Sequence, residues 1–401
     1  MNGERRPDLI VVTLCIAGVL AVSLLLQHEF ALKQSLLFLV GIGFGICLMH
    51  ALFGFSGGWR FIIRDRNSAS VRAQILLLAI CSIVFFPILG NVFPGISGNA
   101  AMGPVGISVL VGAFLFGIGM QLGGGCGSGT LYTVGWGHND MLITLAFFII
   151  GATIGSVHLP WWLELPNIGR VSIISEIGWL PGLLSQLLVL AILYYVVRHL
   201  DIKRNNSLKP IAQSITKNSD TPFSQKLVLG PWPLIWGVAG ITLLNLFTML
   251  IAGHPWTIVF AFGLWGTKIW NALGGDISTW QYWASGYPAR ALNSSVLADT
   301  TSIMDFGVII GSMLAAALAG KFSPEGKITS KRVMTAVVGG LLLGYGARLA
   351  FGCNIGALLA GISTGSLHGW LWLVSGFCGS ILGIYIKIWI GVDKPIREKA
   401  K

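Results

Sequence analysis

The sequence predicts an all-α, polytopic integral membrane protein, and three observations carry that prediction. Only 10% of the 401 residues are charged, against ~25% in ordinary globular domains. Hydrophobic residues make up 54%, and the mean hydropathy is +0.78. Four stretches hold no Asp, Glu, Lys or Arg at all: 34–59, 73–139, 227–267 and 349–386. A helical span needs about 20 apolar residues, and a charge in hydrocarbon costs about 2.5 kcal/mol or more. Disorder and nucleic-acid binding need abundant polar charge, so both are excluded as main roles and no nucleic-acid partner is expected. So few charges cannot cover a soluble globule of this length. A β-barrel is disfavoured, because the segments are continuously apolar rather than alternating.

Ten spans follow in order. The first, near 8–27, comes after Arg5 and Arg6 and resembles a signal peptide. It has no small-x-small cleavage site before Glu29, so it reads as a helix. Spans near 34–56, 71–94, 104–122, 140–162 and 178–198 complete a first transmembrane half, 1–198. The polar stretch 199–226 carries Lys203, Arg204, Lys209, Lys217 and Lys226 and reads as part of a cytoplasmic linker, 199–230. Spans near 232–254, 303–320, 333–350 and 367–391 build a second half, 231–401. Two Gly-rich stretches, 123–137 and 352–366, are too short or too broken to cross and read as re-entrant. Segment 256–275 is ambiguous, because Lys268 lies inside it. Trp161, Trp162, Trp232 and Trp256 fall at span edges, as interfacial aromatic belts require.

Basic residues orient such a chain, because cytoplasmic loops are enriched in Lys and Arg. Five clusters stand out: Arg5/Arg6; Arg60, Arg64, Arg66 and Arg72; the linker; Lys321, Lys327, Lys331 and Arg332; and the tail from Lys394 to Lys401. Placing all five inside predicts a multi-pass protein of the cell inner membrane, in contact with lipid bilayer and with both termini cytoplasmic. It also requires an even number of crossings over 255–302, which a re-entrant 256–275 satisfies. The net charge of +11 is then a topology signal.

An internal repeat is where the chemistry concentrates. Residues 111–129 align with 338–356 at a constant offset of 227, with nine of nineteen positions identical. The identities include Gly117/Gly344, Gly119/Gly346, Gly125/Gly352, Cys126/Cys353 and Gly129/Gly356. In repeated transporters the substrate site lies where broken segments of two copies meet near the midplane. The topology above makes the repeats inverted. Short helices beginning after the cysteines would aim amide groups at the centre, and helix N-termini are ready anion sites. Gly125, Gly127 and Gly352 would let backbone and ligand approach closely. The glycine excess, 54 residues, reads as concentrated around the cysteines rather than as packing filler.

The six cysteines sort by context. Cys15, Cys81 and Cys378 sit in plain apolar runs and read as small hydrophobes. Cys126 and Cys353 carry the repeat. Cys47 lies on another Gly-broken helix, three residues before His50. No CxxC pair occurs, so neither a structural metal nor a redox dithiol is expected. No cofactor is expected either: there is no phosphate-binding Gly-x-x-x-x-Gly-Lys-Ser/Thr loop, which excludes transport driven by this chain's own ATP hydrolysis.

A Gly-rich helix ending in Gly-Gly-Cys, repeated as Gly-Cys-Asn, with a third Cys on an early helix, resembles the YeeE/YedE family of sulfur-compound transporters. The order of halves looks like the YeeE branch. The resemblance implies thiosulfate uptake, with Cys47, Cys126 and Cys353 passing the anion inward through S–H···S contacts. It departs from the family pattern at Cys47, which Phe44-Gly-Ile precedes where a basic residue is common.

Thiosulfate is a dianion with a soft terminal sulfur. Short-helix amides, those beside Asn354 among them, could meet its oxygens, and thiols could donate weakly to the sulfur. A thiolate would repel the dianion, so neutral thiols are expected. Arg348 and Lys268 are the charges expected within the membrane, where ionisable residues are functional by default. His50 is a possible hydrogen-bonding group, while His138 and His368 read as interfacial. A cytoplasmic sulfur-carrier protein is a conceivable partner. The alternatives are another sulfur or selenium species, a membrane sulfurtransferase with a covalent persulfide cysteine, and a soft-metal transporter using Cys47 and His50.

Overall fold

The computed structural model describes residues 7–205, 208, 210–211, 223–324 and 329–393, with residue 224 described in its backbone alone. Arg5, Arg6, Lys209, Lys217, Lys327 and the tail from Lys394 lie outside the described residues. The ordered elements are helices: α1 (Leu9–Glu29), α2 (Leu32–Ala51), α3 (Phe55–Arg64), α4 (Ala69–Leu89), α5 (Ile107–Leu122), α6 (Gly127–Gly135), α7 (Asn139–Glu164), α8 (Ile173–Ile177), α9 (Trp179–Asn205), α10 (Phe223–Leu229), α11 (Leu234–Ala252), α12 (Val259–Ala272), α13 (Gly286–Asn293), α14 (Thr300–Leu318), α15 (Ser330–Leu349), α16 (Ala360–Ser363) and α17 (Leu367–Trp389). A run of π-helix, Asn354–Leu359, leads into α16. Among the described residues, ten helical segments are long and apolar enough to cross a membrane, in the ten places the sequence indicates. The protein is an all-α polytopic membrane protein.

Two boundaries differ from expectation. α9 runs on to Asn205, so the stretch read as linker begins inside a helix. Asp201 explains the extension: it is buried, and it accepts hydrogen bonds from the backbone N–H and hydroxyl of Ser68 at the start of α4. The span expected over 34–56 is present, but its first helix ends before 56. α2 stops where Leu52 turns left-handed (φ 48°), and α3 starts three residues later.

Arg60, Arg64, Lys321, Arg332 and Lys387 gather at one end of the bundle. Trp136 Nε1 donates to the carbonyl of Lys321 (2.8 Å), Lys387 Nζ to that of Gln121 (3.1 Å), and Arg64 pairs with Asp393 (3.6 Å). At the opposite end, Gly106 bridges to Asn167 and Ser172 to Ser366, and Ser108 Oγ reaches the Leu349 carbonyl (2.8 Å).

Glycine sets the helix packing. A methyl on Gly112 would lie 2.7 Å from the carbonyl oxygen of Gly346, and one on Gly119 would lie 2.7 Å from the amide of Leu343. α5 and α15 therefore run antiparallel in close contact. Gly117 meets α17 at the Gly376 carbonyl, and Gly344 meets α7 at that of Phe148, both at 2.2 Å by the same measure. Only the smallest residue permits backbones this close. Glycines on the Cys47 helix and glycines far from any cysteine do the same: Gly41 and Gly45 face α14, and Gly307 and Gly311 face α2. The glycine excess is thus substantially helix packing, which corrects the reading that concentrated it around the cysteines. Trp256 is also corrected. It is fully buried and stacks on Phe44 at 3.8 Å, while Trp161 stays 57% exposed at its span end.

Candidate functional site

Four helix starts converge on one place. Cys126 is the N-cap residue of α6, and Cys353 is the N-cap residue of the run Asn354–Leu359. Both side chains are fully buried. They meet across Gly127: a methyl there would lie 2.9 Å from Cys353 Sγ. The start of α12 joins them, with an Ile258 side-chain carbon 3.6 Å from that same methyl position and Thr257 3.8 Å from the equivalent position on Gly356. The start of α3 joins from the other side. Ser56 Oγ lies 4.0 Å from a methyl on Gly129, and the Ser56 carbonyl accepts from Gln121 Nε2 at 3.3 Å. Helix starts leave backbone N–H groups without intrahelical partners. Cys126 makes no side-chain cap bond to those of α6.

The turns before the two cysteines are tight. Gly352 has φ 148°, outside the reach of ordinary side chains, and a methyl there would lie 2.6 Å from the amide of Ala357. One on Gly125 would lie 3.0 Å from the amide of Thr130. The Cys126 sulfur lies 3.5 Å from Ser128 Oγ, and the Cys353 sulfur accepts from the Ile355 N–H at 3.4 Å. All six cysteines are free.

Buried polar groups without partners ring this centre. Asn354 is fully buried, and neither its carbonyl nor its amide group has a partner. Trp256 Nε1 and Asn245 Nδ2 are likewise unpartnered, although Asn245 Oδ1 accepts from the Trp256 backbone N–H (2.9 Å). Both carboxylate oxygens of Asp305, on α14, are buried and unpartnered. Such groups are costly to bury dry. Sequence reading selected Asn354 but not Asn245, Trp256 or Asp305. Asp305 carried a usable signal, being an acid inside an expected span.

The remaining expected residues sit elsewhere. Cys47 Sγ lies 2.6 Å from a methyl position on Gly240, so its sulfur packs against α11. His50 is buried at the basic end, where its ring approaches Gly230 and lies 5.3 Å from that of Trp232. Lys268 Nζ donates to the carbonyls of Leu292 and Ser294, both at 2.6 Å, and so secures the end of α13. His368 was read as interfacial, but it is buried: its ring bonds to Ser366 Oγ (2.6 Å) and accepts from the Gly103 N–H (3.2 Å). His138 is exposed, at the start of α7.

Arg348 ends α15 in an aromatic box. Its guanidinium lies 4.5 Å from the Tyr282 ring centroid and 5.7–5.8 Å from those of Phe260 and Trp283. Nη1 donates to Tyr282 Oη (3.1 Å), while Nε and Nη2 are buried and unpartnered. Tyr282 also lines a cavity of about 530 Å³ with Glu164, Gln281 and Ser285. A second cavity, of about 280 Å³, opens at the basic end beside Gly123 and Gly124, lined by Arg60, Arg332 and Lys387 together with Asp140 and Asp393. One cavity thus lies toward each end of the bundle. No group of three or more His, Cys, Asp or Glu side chains fit to hold a metal ion occurs among the described residues.

The sulphur-transport family matches residues 50–382, and the chain belongs to that family. It is 28% identical over 366 residues to the thiosulfate transporter TsuA of Spirochaeta thermophila, covering 88% of this chain and 97% of the relative. It is 23% identical over 369 residues to the thiosulfate transporter TsuA of Escherichia coli, covering 88% and 93%. A probable transporter, YedE of Escherichia coli, is 30% identical over 161 residues, 40% of this chain and 39% of the relative. The protein is a multi-pass membrane transporter of a sulfur compound rather than an enzyme. Cys47 lies three residues ahead of the matched stretch.

Proposed function

We propose that the protein takes up thiosulfate across the cell inner membrane, through a pathway that passes between Cys126 and Cys353. The observation that carries the reading is their meeting across Gly127, each at the start of a short helix. The uncapped amides at the start of α6 suit the anion's oxygens. Thiols are weak donors matched to its soft sulfur. A neutral, soft and donor-rich constriction lets a dianion pass without trapping it. Arg348, with two unpartnered guanidinium nitrogens near the larger cavity, draws the anion in at one end. The basic cavity at the other end receives it, and a cytoplasmic sulfur-carrier protein could collect it there.

In this reading the halves 1–198 and 231–401 are inverted repeats joined by the linker 199–230, and both termini are cytoplasmic. The antiparallel contact of α5 with α15 supports that arrangement, as does the match of Phe114 against Gly379 with Leu341 against Gly151. The offset of 227 carries Phe114 onto Leu341. The relatives named as thiosulfate transporters support the substrate.

The test is growth of a bacterium deficient in sulfate uptake, with thiosulfate as its only sulfur source. Rescue by this chain is expected. No rescue, with the protein present in the membrane, would reject the reading. Trapping a persulfide on Cys126 or Cys353 during turnover would favour a sulfurtransferase instead.

A further inference from the structure

Asp305 is the one carboxylate among the described residues with both oxygens buried and unpartnered. Its place in the fold is specific. Thr301, Asp305, Ile309 and Ser312 follow spacings of four, four and three, which puts them on one face of α14. Thr301 Oγ1 lies 3.3 Å from Thr257 Oγ1, at the start of α12. Ile309 and Ser312 meet Gly135, at the end of α6. Asp305 lies between these contacts, beside the short helices that start at Cys126 and Cys353, and Cys353 is within its electrostatic reach.

The titratable groups facing it are Cys353 and, on its own helix, Asp299. α2 meets α14 through Phe38, Gly41, Ile42 and Gly45, α6 through Gly135, and α12 through Trp265, all uncharged; α1, which carries Cys15 and His28, and α10, which carries Lys226, also pack against α14. Lys268 is held by two carbonyls and Arg348 by Tyr282. No described cation is therefore paired with Asp305. An ionised carboxylate would repel a dianion at the same depth, and a dianion entering a cell that is negative inside moves uphill.

We propose that Asp305 is the proton-binding residue that couples anion uptake to proton entry. The carboxylate takes a proton from outside before the anion reaches the cysteines, and releases that proton inward once the anion has left. This rests on the reading of the protein as a thiosulfate transporter.

The test uses the full chain in proteoliposomes with radiolabelled thiosulfate. It compares counterflow without gradients with uptake under an inward proton gradient, for the wild type, Asp305→Asn and Asp305→Glu. An external pH electrode supplies a second readout. One pH unit is expected to raise wild-type accumulation by up to about tenfold per coupled proton, with alkalinisation outside on adding thiosulfate. Asp305→Asn is expected to keep counterflow and lose both responses. If Asp305→Asn lost counterflow too, stimulation of Asp305→Glu over a shifted pH range would support the proposal, and a wild-type pH profile in that variant would overturn it. Full gradient stimulation in Asp305→Asn would overturn it, as would stimulation of the wild type by sodium but not by protons. Wild-type counterflow indifferent to a proton gradient rejects the coupling alone. Absence of any wild-type counterflow rejects the substrate and the coupling together.

Discussion

The two cysteine segments share a backbone plan and differ in what surrounds it. The first, Gly125-Cys126-Gly127-Ser128-Gly129, is built of small residues and continues as a regular α-helix. The second, Gly352-Cys353-Asn354-Ile355-Gly356, continues as π-helix and carries a buried asparagine that no neighbour satisfies. Departures from α-helical pitch of this kind frequently mark functional positions. Arg348 also belongs to the second copy and Asp305 to the second half, whereas the residue matching Arg348 in the first copy is Gln121, whose side-chain amide nitrogen is engaged with Ser56 and Ser380. One copy supplies the close approach, and the other supplies polar groups and charge. The repeat has thus been divided into a scaffold half and a chemical half.

The sharpest way to break the comparison is to treat the cysteines alike. Cys126→Ser and Cys353→Ser each keep a donor and lose softness. Each is expected to cut thiosulfate uptake by on the order of tenfold, equivalent to about 1.4 kcal/mol. Radiolabelled uptake at matched membrane abundance measures it. Full uptake in both variants would remove the thiols from the mechanism.

The next test exploits a difference in space. A methyl on Gly127 would lie 2.9 Å from Cys353 Sγ, whereas one on Gly356 would lie 3.8 Å from Thr257. Gly127→Ala is therefore expected to lower uptake severalfold, because overpacking of this kind costs about 1–3 kcal/mol. Gly356→Ala, in ordinary contact, should stay within about twofold of the wild type. Equal effects would mean that the two segments are not the asymmetric pair described.

Arg348→Gln makes the second copy resemble the first. If the guanidinium only gathers the anion, the apparent KM rises about three- to tenfold with the maximal rate preserved, as loss of uniform binding requires. Arg348→Lys should recover part of this, since charge returns without the planar fork. A fall in maximal rate at unchanged KM would place Arg348 in the translocation step instead.

Much of this architecture is legible in the sequence. Long apolar stretches with few or no charges gave all ten spans, because the bilayer forces such segments whatever their packing. The repeat exposed Cys126 and Cys353, and a break in hydrophobicity exposed 256–275. What stayed hidden depends on which face meets which neighbour. Ser56-Gly57-Gly58 followed by Arg60 reads as a basic loop, yet it opens α3 at the centre. Lys268 reads as a buried cation, yet two carbonyls occupy it. Cys47 shares a Gly-rich context with the other cysteines, but its sulfur faces α11. Cys47→Ser is accordingly expected to cost uptake less than either repeat cysteine, by about two- to threefold at most. A loss as deep as that of Cys126→Ser would restore it to the pathway.

The smallest effect concerns a structure found beside the second segment. Residues 273–298 fold over the Arg348 end, held by Lys268 and by Tyr287, whose hydroxyl donates to Asp299 Oδ1 at 2.6 Å. Burial, and then the charge of Asp299, pushes the Tyr287 hydroxyl above the ordinary tyrosine range. The closed fold thus favours the protonated phenol. Its contribution is complete below about pH 10, the ordinary tyrosine value, and declines as pH rises further. Tyr287→Phe should lower thermal stability in detergent by on the order of 1–3 °C near neutral pH, the worth of one part-exposed hydrogen bond. Above pH 10 the gap between variant and wild type should narrow. A gap that widened with pH would show that the phenol is ionised in the closed fold, and the bond to Asp299 could not then be what holds the loop.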